Sequence, residues 1–129
     1  MSKGSAPPIR DVHFHLFVYG SLRSGARTLG RELLAECELV GPATVRGTLY
    51  DVGDYPTLLL GGDDVVEGEV WRCPATLLRV LDRYEGTVEG LFRRAAVRAD
   101  GHACWVYVAG PRLGPRLRPE ARIESGSWS

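Results

Sequence analysis

Two short stretches carry groups whose type and spacing suit acyl chemistry. The first is Phe17-Val18-Tyr19-Gly20-Ser21-Leu22. It begins as a strand and then breaks, because Gly20 permits backbone angles that other residues avoid. A strand that runs into a Gly-Ser turn can present consecutive N–H groups to a ligand. Such a concavity suits an oxygen that is negative or becoming negative. A plain strand-to-loop turn would have the same sequence, so the stretch by itself leaves both readings open.

The second stretch ends in Glu85. Residues from Pro74 to Glu85 form the clearest helical segment, and Gly86 is a natural stop. Starting at Leu77 and advancing about 100° per residue places Leu81 at about 40°, Tyr84 at about −20° and Leu78 at about 100°. These four define an apolar stripe, with Thr76, Arg79 and Arg83 facing water. Glu85 falls at about 80°, inside the stripe. It also sits in the last turn, where the helix dipole disfavours negative charge. Burial and dipole together raise the pKa of a carboxylate that lacks a cation. A local rule broken twice at one residue is the pattern of a functional site. Two structural alternatives stand beside it: a frayed helix end that lets Glu85 reach water, or pairing with Arg93 or Arg94.

Other reactive side chains are less organised. His13 and His15 alternate with Phe14 and Leu16, so they share one face of a strand. They could chelate a metal, but a third ligand of suitable spacing is missing and His102 is distant in sequence. Two surface histidines are the expected reading. Cys37, Cys73 and Cys104 form no CxxC pair and read as reduced, mostly packed thiols of a cytoplasmic protein.

The elements that must position these groups are short. Residues 1–12, with Gly4, Pro7 and Pro8, read as a disordered tail, and residues 13–129 as one domain. Strands are expected at His13–Tyr19, Ala43–Val52, Thr57–Leu60, Val65–Cys73, Leu91–Ala99 and His102–Ala109. A short helix is expected over Leu29–Cys37, ended by Gly41-Pro42. Gly61 to Asp64 reads as a hairpin loop. Asp100-Gly101 between two strand-like runs is the strongest hairpin signal in the chain. On Val65–Cys73, Val66, Gly68, Val70 and Arg72 form one face; Glu67, Glu69 and Trp71 form the other, partly wet. The Tyr55-Pro56 bond is a candidate for a cis turn. This order gives an α+β chain: a small mixed β-barrel with one or two packed helices.

Bulk properties narrow the function. Sixteen basic and sixteen acidic side chains cancel, which argues against a general nucleic-acid or membrane-surface binder. No apolar run approaches the roughly 20 residues of a membrane span, and Met1–Pro8 has no apolar signal-peptide region. The Gly110–Arg122 tail is rich in arginine and proline but lacks interleaved aromatics, so it reads as a solvated loop rather than a basic recognition segment.

Taken together, Tyr19-Gly20-Ser21-Leu22 and Leu81-Asp82-Arg83-Tyr84-Glu85-Gly86 resemble the γ-glutamylcyclotransferase-like family. Further matching segments, in order, are Gly47-Thr48-Leu49-Tyr50-Asp51, Tyr55-Pro56, Val66-Glu67-Gly68-Glu69-Val70, Phe92-Arg93-Arg94 and Trp105-Val106-Tyr107-Val108. The resemblance spans Phe14 to Trp128. It implies a small mixed barrel with a cavity at one end. It also implies that Tyr19, Gly20, Ser21 and Leu22 hold the glutamyl group, largely through backbone contacts, with Glu85 as the acid/base and Tyr107 as a further contact. The implied ligand is a small γ-glutamyl compound, with no metal, cofactor, nucleic acid or membrane involved. Leu22 stands where many members acting on γ-glutamyl amino acids have Asn. That is similar to the branch with γ-glutamylamine cyclotransferases and the γ-glutamyl-butirosin cyclotransferase. Gly126-Ser127-Trp128 replaces a frequent Gly-Asp-Trp, which bears on tail packing. A non-catalytic module binding the same small group in the same cavity is the rival expectation.

Overall fold

The computed structural model of the chain describes residues 13–19, 34–51, 56–86, 90–114 and 117–127. Gly20, Ser21, Leu22, Tyr55 and Trp128, and the expectations attached to them, lie outside the described residues, as does the side chain of Glu85.

Strand β1 spans His13–Val18 and sits near the centre of a six-stranded sheet. It pairs antiparallel with β3, Pro56–Pro74, from His13 opposite Pro74 to Val18 opposite Glu69. On its other edge it pairs in parallel with β5, His102–Ala109, at Leu16 opposite Trp105. β2, Glu38–Asp51, and β4, Phe92–Ala99, flank these, and a two-residue β6, Arg122–Ile123, pairs with β2. The order across the sheet is β4-β5-β1-β3-β2-β6. The result is a mixed half-barrel with one α-helix among the described residues, as the order of elements in the sequence leads one to expect.

The second half of the central strand is covered on both faces, so Leu16, Phe17 and Val18 are buried in succession rather than alternating, while His13 at its start is exposed. Phe17 and Tyr19 point into the concave side, with Val45, Leu49, Leu58, Val66, Val70, Val106 and Val108. Leu16 and Val18 point to the opposite side, with Leu34, Cys73, Leu81, Tyr107 and Leu113. The sheet curls far enough for Thr44 on β2 to donate a hydrogen bond to Asp100, at the β4–β5 tip, at 3.4 Å. Gly68 permits the tight crossing of β3 over β1. A Cβ there would stand 2.2 Å from the Val18 carbonyl oxygen.

The β4–β5 hairpin forms as its Asp-Gly turn requires, with φ of 48° at Asp100 and 90° at Gly101. The helix also forms, but later than expected. Pro74 is the last residue of β3, Ala75–Leu77 is a 3₁₀ turn, and helix α1 runs from Leu78 to Glu85. Gly86 closes it in the left-handed region at φ 71°. Leu81 is fully buried, Leu77 and Tyr84 are partly so, and Thr76, Arg79 and Arg83 face water, as the periodicity predicts.

Two expectations are corrected. Gly61 to Asp64 is not a hairpin loop between two strands. Gly47 opposes Leu60 and Arg46 opposes Val65, so both flanks pair with β2 and residues 61–64 bulge out of one continuous β3. A hairpin would need the flanks to pair with each other. Likewise, Gly41-Pro42 does not end a helix. It lies inside β2, which starts at Glu38; residues 29–33 of the expected helix lie outside the described residues, and Leu34–Glu36 is a 3₁₀ turn. Among the described residues the β6 pairing reaches only Leu49 and Tyr50, so Pro42 lies on a stretch of β2 whose outer edge has no strand partner there, where a proline is tolerated. On β3, Val66, Gly68 and Val70 are buried and Glu67 is exposed as expected. The alternation breaks beyond, where Arg72 is exposed and Cys73 buried.

Candidate active site

The topology decides which ends meet. β1 and β5 are parallel, so Tyr19 and Ala109 finish at the same end of the sheet. β3 runs the opposite way and ends at Pro74 beside His13. The chain from Pro74 must therefore travel back before β4 can start at Phe92, opposite Ala109. Helix α1 makes that journey. Its capping residue accepts one backbone bond, Leu91 N–H to Gly86 O at 3.1 Å, and Gly90 and Leu91 are tied in turn to the end of β5 by Gly110 N–H to Leu91 O at 2.8 Å and Arg112 N–H to Gly90 O at 2.9 Å. The backbone of Glu85 is thus anchored at the end of the sheet where Tyr19 leads into Gly20.

Side chains join the same elements. The buried Tyr19 hydroxyl donates to the Tyr107 carbonyl and accepts from the Leu58 amide at 3.3 Å, linking β1 to β5 and β3. The Tyr107 hydroxyl crosses to α1 and donates to Asp82 Oδ1 at 2.6 Å. A carboxylate accepts only, so the proton of this bond belongs to the tyrosine. Arg94 on β4 grips the same carboxylate with Nε at 3.0 Å from Oδ1 and Nη2 at 3.3 Å from Oδ2. Its guanidinium lies 4.5 Å from the centroid of the Trp105 ring. Tyr107 is therefore the hub of the arrangement: its carbonyl holds the end of β1 and its hydroxyl holds the last turns of the helix. Asp82 precedes Glu85 by three residues and shares its side of the helix.

Tyr19 and Tyr107 are thus brought together by the fold. Asp82, Arg94 and Trp105 were not singled out from sequence as functional residues. Asp82 falls at about 140° on the helical wheel, between stripe and solvent, and nothing local marks its partners. Arg94, a possible partner of Glu85 on sequence grounds, is committed to Asp82.

The histidines lie elsewhere. His15 and His102 face each other with ring centroids 5.2 Å apart, while His13 Nδ1 meets Arg72 Nη2 at 3.3 Å. Burial pushes the His15 pKa down, and the charges of His102 and Arg72 push it further. No group of three or more His, Cys, Asp or Glu side chains is placed to hold a metal among the described residues. No helix among them is long and apolar enough to cross a membrane.

A curled mixed sheet whose parallel central strands deliver their ends to the terminus of one packed helix is the γ-glutamylcyclotransferase-like α+β fold. Residues 16–129 match the family described as gamma-glutamyl cyclotransferase, AIG2-like, and the chain belongs to that family. A Vibrio cholerae protein provisionally named gamma-glutamylcyclotransferase is 31% identical over 115 residues, covering 88% of this chain and 93% of the relative. The solution structure of protein ytfP from Escherichia coli aligns with a TM-score of 0.69 at 30% identity, over 88% of this chain and 95% of that one. The crystal structure of an AIG2-like protein from Mus musculus aligns with a TM-score of 0.70 at 24% identity, over 91% and 88% of the two chains, a likeness of fold alone.

Proposed function

We propose that the protein is a γ-glutamyl cyclotransferase. It releases 5-oxoproline and a free amine from a γ-glutamyl amide, with Glu85 as the general acid/base. The observation that carries this reading is the fastening of the α1 terminus, one residue after Glu85, to the sheet end where Tyr19 leads into Gly20. Family membership supports it.

The reaction is an intramolecular aminolysis. The substrate's α-amine attacks its own γ-carbonyl carbon, a C–N bond closes the five-membered lactam, and the C–N bond to the leaving amine breaks. Tethering supplies the nucleophile at high effective concentration, so the protein mainly folds the substrate into a near-attack shape. Glu85 takes the proton from the α-ammonium, which frees the lone pair, and returns it to the departing nitrogen. Water is neither consumed nor released. The backbone N–H groups of Gly20 to Leu22 serve the oxygen that gains charge; losing one such donor costs about 3 kcal/mol. Tyr107 has a different role from an oxyanion donor. Its hydroxyl proton is engaged by Asp82, so it acts by holding α1 beside the site.

The test is 5-oxoproline release from a panel of γ-glutamyl amines and γ-glutamyl amino acids. Glu85→Gln should keep its melting transition and lose roughly 10²–10⁴-fold in rate. Full activity in Glu85→Gln would remove Glu85 from the mechanism. Silence of the parent protein across the panel, with saturable binding of 5-oxoproline or glutamate, would turn the reading to a binding module.

A further inference from the structure

Cys37 and Cys73 are far apart in sequence and neighbours in the sheet. The β2–β3 ladder includes Glu38 opposite Arg72. One step outward in an antiparallel ladder sets Cys37 opposite Cys73. Residues directly opposite in such a pair have Cα atoms about 4.5–5.5 Å apart. A disulfide spans Cα separations of about 4.4–6.8 Å. The Cys37 amide is already bonded to Leu34 O at 2.9 Å, so the residue is held by the 3₁₀ turn before it. Both side chains belong to the cluster containing Leu16, Leu34 and Leu81, on the helix side of the sheet. Both are thiols rather than a disulfide, and they differ in exposure: Cys73 is buried and Cys37 half-buried. The interaction between the two thiols pulls the Cys37 thiol down, while it and burial push the Cys73 thiol up. The accessible sulfur is therefore the better nucleophile, with a second sulfur in contact behind it.

We propose that Cys37 and Cys73 form a reversible disulfide, closed by thiol–disulfide exchange with a low-molecular-weight disulfide. The Cys37 thiolate attacks one sulfur of that reagent, forming a mixed disulfide and expelling a thiolate that picks up the Cys37 proton. Cys73 then attacks the Cys37 sulfur, the protein disulfide forms, and a second small thiol leaves with the Cys73 proton. Two protein thiols are oxidised and one small disulfide is reduced to two thiols. The bond would clamp the Leu34–Glu36 turn to the C-terminal end of β3. This modification site is independent of the proposed catalytic reading and stands or falls by its own measurement.

The full-length protein is incubated under native conditions with 2-hydroxyethyl disulfide, a probe with no glutamyl group that could occupy a γ-glutamyl site. The reaction is quenched in acid, remaining thiols are alkylated, and peptides are identified by mass spectrometry. The expected product is a Cys37–Cys73 linked peptide that dithiothreitol removes, with Cys104 still alkylated. Cys73→Ala should stop at the mixed disulfide on Cys37, and Cys37→Ser should lose the link altogether. A parent protein that stops at the mixed disulfide, links Cys104 instead, or keeps both thiols alkylatable overturns the proposal. So does a link that appears equally fast in urea, since the fold would then contribute nothing.

Discussion

Removing the Tyr107 hydroxyl should loosen the helix terminus by an amount that depends on Asp82. In Tyr107→Phe the ring still fills its buried place and the 2.6 Å bond to Asp82 Oδ1 is lost. A hydrogen bond to a charged group contributes about 1.5–3 kcal/mol. The side chains of Asp82 and Arg94 retain 25% and 28% of their exposure, so water partly replaces the missing partner. The lower end applies, about 1.5 kcal/mol, which for a domain of this size lowers Tm by roughly 5–7 °C. Asp82→Ala removes both the Tyr107 and the Arg94 contacts. Its cost lies between that of an exposed ion pair, about 0–1 kcal/mol, and the 3–5 kcal/mol of a broken buried one. We expect about 2–3 kcal/mol. The double variant separates the terms: once Asp82 is alanine, Tyr107→Phe should cost little, giving a coupling of about 1–1.5 kcal/mol. Urea denaturation of the four proteins, followed by far-UV circular dichroism, measures this. Additivity within about 0.3 kcal/mol would refute the claim that Tyr107 holds α1 through Asp82.

Two further perturbations address other parts of the molecule. Gly68→Ala should cost about 3 kcal/mol or more, because the new Cβ would meet the Val18 carbonyl at 2.2 Å and the Phe17 ring at 2.6 Å; an unchanged melting temperature would contradict the described crossing. For His15, burial holds the folded-state pKa below that of the unfolded chain, near 6.5. The unfolded state then binds the proton more readily, so stability is intact above about pH 6.5 and falls as the pH drops through the window just below it. His15→Gln should flatten that part of the urea-midpoint profile, and identical slopes in the two proteins would exclude His15 as the cause.

What the sequence discloses follows the range over which each signal acts. The Asp100-Gly101 turn and the Gly86 stop are local, and both were legible. The four residues Gly61 to Asp64 carry turn chemistry just as plainly, yet their flanks pair with β2 rather than with each other, which no local pattern records. The same holds at the candidate site. The resemblance pointed to Tyr107, which the fold joins to Tyr19 and Asp82, while the role of Glu85 is a proposal that rests on the resemblance and the helical wheel. Asp82 was not, because its partners stand 12 and 25 positions away on β4 and β5. His102, distant from His15 in sequence, is beside it in space, and so is Cys73 beside Cys37.

The placement of β1 bears on how the chain is born. Its antiparallel partner arrives with residues 69–74 and its parallel partner only with Trp105. Closing such long loops costs entropy before any contact repays it, which slows folding. During synthesis, Leu16, Phe17 and Val18, all nearly inaccessible in the finished fold, emerge before either strand partner and must wait for both. The sheet therefore cannot be completed progressively from its N-terminus. It locks when β5 slides in beside β1, and until then that strand needs shelter from its neighbours on the polysome.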